Sequence, residues 1–222
     1  MQGPDGINWT QATWNPVSGC LHQCSYCYAR AFAERFGRSF EPELHPEHLE
    51  DPLRRKKATR IFVGSNADLF GAWVPVEWIA RTLCTVKRAP QHTFQFLTKN
   101  PKRLPNFNPW PRNTWVGASI DIRARLEPTL AALRKVEAPV RFISFEPLNE
   151  EMGTPDLTGI EWVIVGAQTG VNAHQPRRAW VERLIAAADK TGAALLMKEN
   201  LRWQPRREEF QDSKPAQLSL LG

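Results

Sequence analysis

Short apolar runs alternate along this chain with longer segments in which apolar residues recur every three or four positions. The runs Arg60–Gly64, His92–Thr98, Thr114–Ser119, Val140–Ser144, Trp162–Gly166 and Ala193–Lys198 read as buried strands. Helical spacing over 75–88, about 122–136 and about 177–191 fills intervals between them. Tyr28–Phe36 reads as a further helix, closed by Gly37. Residues 41–59 are polar, charged and proline-containing, and read as an irregular connection. With a short strand ahead of residue 20, six or seven strands are expected. Apolar strands separated by helices are parallel βα units. Their number falls short of the eight that close a barrel. The expected fold is therefore α/β, a partial, open (β/α)6-type TIM barrel of parallel strands. It would occupy residues 1–202, with 203–222 a polar C-terminal tail that packs loosely. In such sheets the chemistry lies at the carboxyl ends of the strands.

Composition narrows the class. The 222 residues, 42% hydrophobic, suit one domain of ordinary core size. No apolar run approaches the roughly 18 residues of a membrane span. Met1–Gly6 carries neither the basic nor the apolar region of a secretory signal, so a cytoplasmic location is expected. A net charge of +6 favours acidic partners such as nucleic acid, and Arg54-Arg55-Lys56-Lys57 is the densest basic cluster. Nine tryptophans are expected mostly in the core, with base stacking the alternative for a few.

Three of the four cysteines fall within eight residues, in Cys20-Leu21-His22-Gln23-Cys24-Ser25-Tyr26-Cys27-Tyr28. A disulfide framework would spread them along the chain; crowded thiols read as metal ligands. Three thiolates bind three irons of a [4Fe–4S] cubane and leave the fourth iron open to a small chelating ligand. The competing reading is a zinc site with His22 as fourth ligand, although zinc spacing is usually paired. Cys84 lies in an apolar helical pattern and is expected to be a small buried hydrophobe.

The C-x3-C-x2-C spacing, with an aromatic before its last cysteine, resembles the radical S-adenosylmethionine (SAM) superfamily. The strand count and order resemble that superfamily's partial barrel over most of the chain. The lead-in Thr13–Cys20 is similar to that of an uncharacterised group of phage-associated members, which implies a host cell's cytoplasm. The layout of the SAM site resembles the spore photoproduct lyase family, which repairs DNA. That resemblance implies Cys20, Cys24 and Cys27 as cluster ligands, with SAM chelating the open iron and giving a 5′-deoxyadenosyl radical. Ser65, with Asn66 and Asp68, stands where the SAM amino group is received, Lys99 where its carboxylate is, and Ser119 at the next strand end. Asp68 reads equally as a turn cap. Asp121 is placed to reach a ribose hydroxyl, and Gly166 stands on the edge against which adenine lies. Tyr26 and Tyr28 flank the third cysteine, as in the lyase, where hydrogen relay is the catalytic alternative to packing. Glu146, ahead of Pro147, is placed to touch substrate or adenosine, and Gln168, Lys198 and Glu199 end later strands. Lys198 and Glu199 read equally as a mutual ion pair. The lyase's hydrogen-donating cysteine corresponds to Val63 here, which cannot serve.

The leading expectation is thus a radical SAM enzyme acting on a nucleic acid or nucleotide, in modification, isomerisation or repair. It would be reduced by a protein such as flavodoxin or ferredoxin. A peptide or small-molecule substrate is the second reading, and a non-catalytic zinc- or cluster-stabilised nucleic-acid-binding protein the third.

Overall fold

A computed structural model describes residues 7–170 and 173–211. Its elements in chain order are β1 (Ala12–Trp14), β2 (Val17–Ser18), α1 (Tyr28–Arg35), β3 (Glu43–Leu44), α2 (Asp51–Arg54), β4 (Arg60–Val63), α3 (Val76–Arg88), β5 (Thr93–Thr98), β6 (Thr114–Ser119), α4 (Leu126–Leu133), β7 (Val140–Phe145), β8 (Trp162–Val165), α5 (Arg178–Thr191) and β9 (Ala194–Met197). Seven strands form one parallel sheet in the order β1-β4-β5-β6-β7-β8-β9. The sheet curls into a half-barrel whose end strands, β1 and β9, do not meet. This is the open partial barrel that the pattern of apolar runs predicts.

Alternation along each strand sends side chains to two different cores. Ile61, Val63, Phe94, Phe96, Val116, Ile143, Val163 and Leu195 pack in the layer that includes the helices, against Ile79, Leu83 and Val86 of α3 and Val181 and Leu184 of α5. Trp9, Phe62, Trp115, Phe142, Trp162 and Leu196 form the second core, inside the curl. Trp162 is central to it, with ring centroids 5.2 Å from Trp115 and 5.3 Å from Phe142. These aromatics fill the amino-terminal half of the interior. The strand carboxyl ends carry Ser119, Ser144, Glu146 and Lys198, which line a cavity there. Most tryptophans thus serve packing, as their burial shows.

The helix ends follow local chemistry. Past α1, Gly37 takes φ +61°, its amide reaching Glu34 O at 3.1 Å, and the Arg38 amide reaches Ala33 O at 2.9 Å. That pair of bonds is the usual left-handed termination of a helix, open to glycine at little steric cost.

Three expectations are corrected. Cys84 is exposed: the buried face of α3 carries Ile79, Thr82, Leu83 and Val86, and residue 84 falls off it. The connection 41–59 is more regular than its composition implies, because β3 pairs antiparallel with β2 and α2 follows it. The described part of the tail packs closely. Arg207 O accepts from the Met197 amide at 2.8 Å, the Glu209 amide donates to Leu195 O at 3.0 Å, and Phe210 lies 5.7 Å from Trp162. The edge of β9 offers its backbone to this segment, which no side-chain pattern announces. Among the described residues, no helix is long and apolar enough to cross a membrane.

Candidate active site

The cysteine loop is held by its neighbours before any metal is considered. Gly19 takes φ +80°, and a Cβ there would lie 2.1 Å from the Glu41 carbonyl oxygen, so only glycine fits. Its amide donates to Asn66 O at 3.2 Å, and that of Cys20 to Phe40 O at 3.1 Å. Arg30, on α1, reaches back to donate to Cys20 O at 2.7 Å and His22 O at 3.2 Å, with its guanidinium 5.0 Å from the Phe40 ring. Cys27 caps α1, its sulfur accepting from the Arg30 amide at 3.4 Å.

The loop is also tied to the sheet through Asp68. This buried carboxylate accepts from Thr98 Oγ1 at 2.7 Å, the Phe70 amide at 3.0 Å, the Lys99 amide at 2.9 Å and His22 Nε2 at 2.9 Å. Burial alone would raise the Asp68 carboxyl, but bonds from His22, Thr98 and the Lys99 amide outweigh it and hold the group below its ordinary value. His22 is further fixed edge-on to Trp73, with centroids 4.8 Å apart. Both readings of Asp68 meet here: it caps the turn at Phe70 and it borders the cavity.

Cys20, Cys24 and Cys27, all half-buried, line one wall of an open cavity at the strand carboxyl ends. Burial is the main cause that pushes the Cys20 thiol up to about 11, and the Asp68 carboxylate and the other two sulfurs add to it. Three sulfurs crowded here would need a cationic partner to be held together as thiolates. Among the described residues, no group of three or more His, Cys, Asp or Glu side chains is arranged to hold a metal ion by itself. His22, the candidate fourth ligand for zinc, has committed Nε2 to Asp68. The three cysteines offer a three-fold, all-sulfur donor set, which suits a cluster with one open iron.

Ser65, Asn66, Lys99 and Ser119 border the same cavity. Asn15, which the sequence did not single out, orients Ser65: its Oδ1 accepts from the Ser65 amide at 2.8 Å and the hydroxyl at 3.1 Å. The serine's lone pairs stay free for a donor. Asn66 Oδ1 is buried and has no hydrogen-bond partner among the described residues. The Lys99 ammonium lies 5.5 Å from the Tyr26 ring centre. Tyr26 donates its hydroxyl to Asp121, which also binds Arg125 at 2.8 Å. Burial and the Asp121 carboxylate keep the Tyr26 phenol protonated far above its usual range. Tyr28 donates to the Ser65 carbonyl oxygen, although most of its ring is exposed.

The opposite wall is formed by Ser144, Glu146, Gln168 and Lys198. Lys198 pairs with Glu146, and Glu199 pairs with Arg206 at 3.1 Å, so the expected Lys198–Glu199 pair is replaced. The two residues are consecutive at the end of β9, and only Lys198 borders the cavity. Gly166 stands behind the Glu146–Lys198 pair, where a Cβ would come within 3.1 Å of both side chains. Val63 packs in the outer layer, away from the cavity.

A family model described as "Protein of unknown function (DUF5131)" matches residues 5–220. No curated protein matches the chain. Among solved structures, a cysteine-to-serine variant of spore photoproduct lyase is similar at 16% identity, over 81% of this chain and 61% of that one, with a TM-score of 0.50. A doubly substituted variant of that enzyme, with bound AdoMet and a dinucleoside spore photoproduct, matches at 16% identity over the same shares, with a TM-score of 0.49. The chain thus spans about 61% of the length of these solved relatives. At this identity the likeness establishes the fold.

Proposed function

The chain belongs to the DUF5131 family, and we propose that it is a radical SAM enzyme acting on a nucleic acid or nucleotide. The observation that carries this reading is the joint placement of three half-buried cysteines and four polar groups on one cavity at the strand carboxyl ends. Cys20, Cys24 and Cys27 would hold a [4Fe–4S] cluster, which when bound supplies the electron that cleaves SAM to methionine and a 5′-deoxyadenosyl radical. The protein's own task is to grip the SAM and keep water and stray protons out.

Ser65, turned by Asn15, accepts from the SAM ammonium, and the orphan Asn66 Oδ1 adds a second acceptor. Lys99 attracts the SAM carboxylate, and Ser119 contacts the nucleoside part. Tyr26 cannot act as a base, since its proton is held against Asp121; it orients Asp121 or returns a hydrogen atom. The net charge of +6 supports a polyanionic substrate. The fold likeness to spore photoproduct lyase supports DNA or a nucleotide as its class, while Val63 sets this chain apart from hydrogen return at that position.

Anaerobic reconstitution tests the reading. About four irons per chain and 5′-deoxyadenosine formed with dithionite are expected. A single tightly held zinc, or SAM left intact, would refute it. SAM cleavage stimulated by DNA, RNA or a nucleotide is the expected mark of the substrate class, and stimulation only by peptides would reassign it. Lys99→Ala should raise the Kd for SAM roughly tenfold, the weight of one charge-assisted contact. The Lys99 contact to Asp68 runs through the backbone, so iron content should stay unchanged.

A further inference from the structure

The wall facing the cysteines carries groups for which the SAM grip has no use. Ser144 lies beside Ser119 in the β6–β7 register, and it borders the cavity. Its hydroxyl is wholly buried and has no hydrogen-bond partner among the described residues. Such an orphan destabilises the fold, a cost that alanine at this position would not carry. A ligand atom that reaches the hydroxyl removes it.

Two residues on, just past the end of β7, Glu146 lines the same cavity. Its carboxylate meets Lys198, and both side chains are about one-fifth exposed, turned into the cavity rather than out to bulk water. Gly166 makes the space in which this pair lies. The pair sums to no net charge. A phosphate or carboxylate drawn to Lys198 would lie against Glu146, so a charged ligand gains little. A neutral group with a donor next to an acceptor satisfies both, the donor on Glu146 and the acceptor on Lys198. Trp9 and Phe62 line the same cavity with apolar ring surface, which suits a planar group.

We propose that Ser144, Glu146 and Lys198 form a recognition site for the neutral hydrogen-bonding edge of a nucleobase in the substrate. The inference rests on the nucleic-acid reading above and names the part of the substrate that the cavity holds. Ser144 is a binding residue that no sequence motif marks, and the pair fixes which edge the base presents.

The test uses the cluster-reconstituted chain with SAM present. Thymidine, deoxycytidine, deoxyadenosine and deoxyguanosine are titrated separately, beside N-acetylasparagine amide and inorganic phosphate, with binding read by calorimetry or saturation-transfer NMR. At least one nucleoside should bind, and neither the amide nor phosphate should compete with it. Ser144→Ala should weaken that nucleoside about five- to tenfold, the worth of one hydrogen bond. Glu146→Gln, which exchanges an acceptor for a donor and strands Lys198, should change the order of preference among the four. Three outcomes overturn the proposal: no nucleoside binds, the asparagine amide or phosphate displaces it, or Ser144→Ala weakens SAM as much as the nucleoside. The last would assign the wall to the cofactor's own adenine. Iron content and SAM cleavage are measured on the same preparation, so failure of the radical reading is seen separately from failure of nucleobase binding.

Discussion

Cys24→Ala leaves the chain folded, strips it of iron and takes 5′-deoxyadenosine formation to background. Cys24 isolates ligation from structure better than its two neighbours. Cys27 caps α1 through its sulfur, and burial raises the Cys20 thiol. The bond from the Cys27 amide to Cys24 O is backbone and survives the substitution. The loop itself is fixed by Gly19, Arg30 and the His22–Asp68 bond, so its shape does not depend on a bound metal. Removing one of three thiolates leaves a cubane with two protein ligands, too few to keep it. Circular dichroism should be unchanged while iron and sulfide fall together. Cys84→Ser is the control: the residue is exposed on α3, and its loss should alter neither iron nor turnover. A Cys24→Ala protein that keeps its iron and cleaves SAM would remove the basis of the proposed function.

Much of this arrangement is legible in the sequence because it rests on local signals. Apolar runs mark all seven strands of the curled sheet except the first, which is short, and the helices follow from spacing. The cysteine spacing carries its own chemistry, and Ser65, Lys99 and Ser119 are found by looking at strand ends. What stays hidden is set by tertiary pairing across long separations. Asn15 orients Ser65 from 50 residues away, and Lys198 chooses Glu146 from 52 residues away rather than its neighbour Glu199. The orphan state of Ser144 depends on what is missing around it, which only the packed barrel shows. Cys84 misleads because an apolar helix still has an outer face. The 207–210 segment misleads because backbone bonding at a sheet edge is indifferent to polar side chains.

Asp68→Asn should cost about 2–4 kcal/mol of stability, the largest loss expected from one isosteric change in this site. The carboxylate accepts four hydrogen bonds from donors on three segments: the cysteine loop, its own turn and the end of β5. An amide offers one acceptor oxygen, and its NH2 would face a donor. The pH dependence separates this role from general packing. Because the folded state holds the Asp68 carboxyl below its ordinary value, folding favours the ionised form. That contribution is complete above the unfolded pKa of about 3.9 and is lost as pH falls through the lower folded value. Urea midpoints of the iron-free chain should therefore differ most between wild type and Asp68→Asn near neutral pH, and should begin to converge as pH falls below about 4. The same substitution frees His22 and slackens the loop between Cys20 and Cys24, so reconstituted iron should fall in parallel with stability. A pH-independent difference in midpoint would mean that Asp68 acts only by filling space. Full iron content despite the lost stability would mean that the loop is positioned without it.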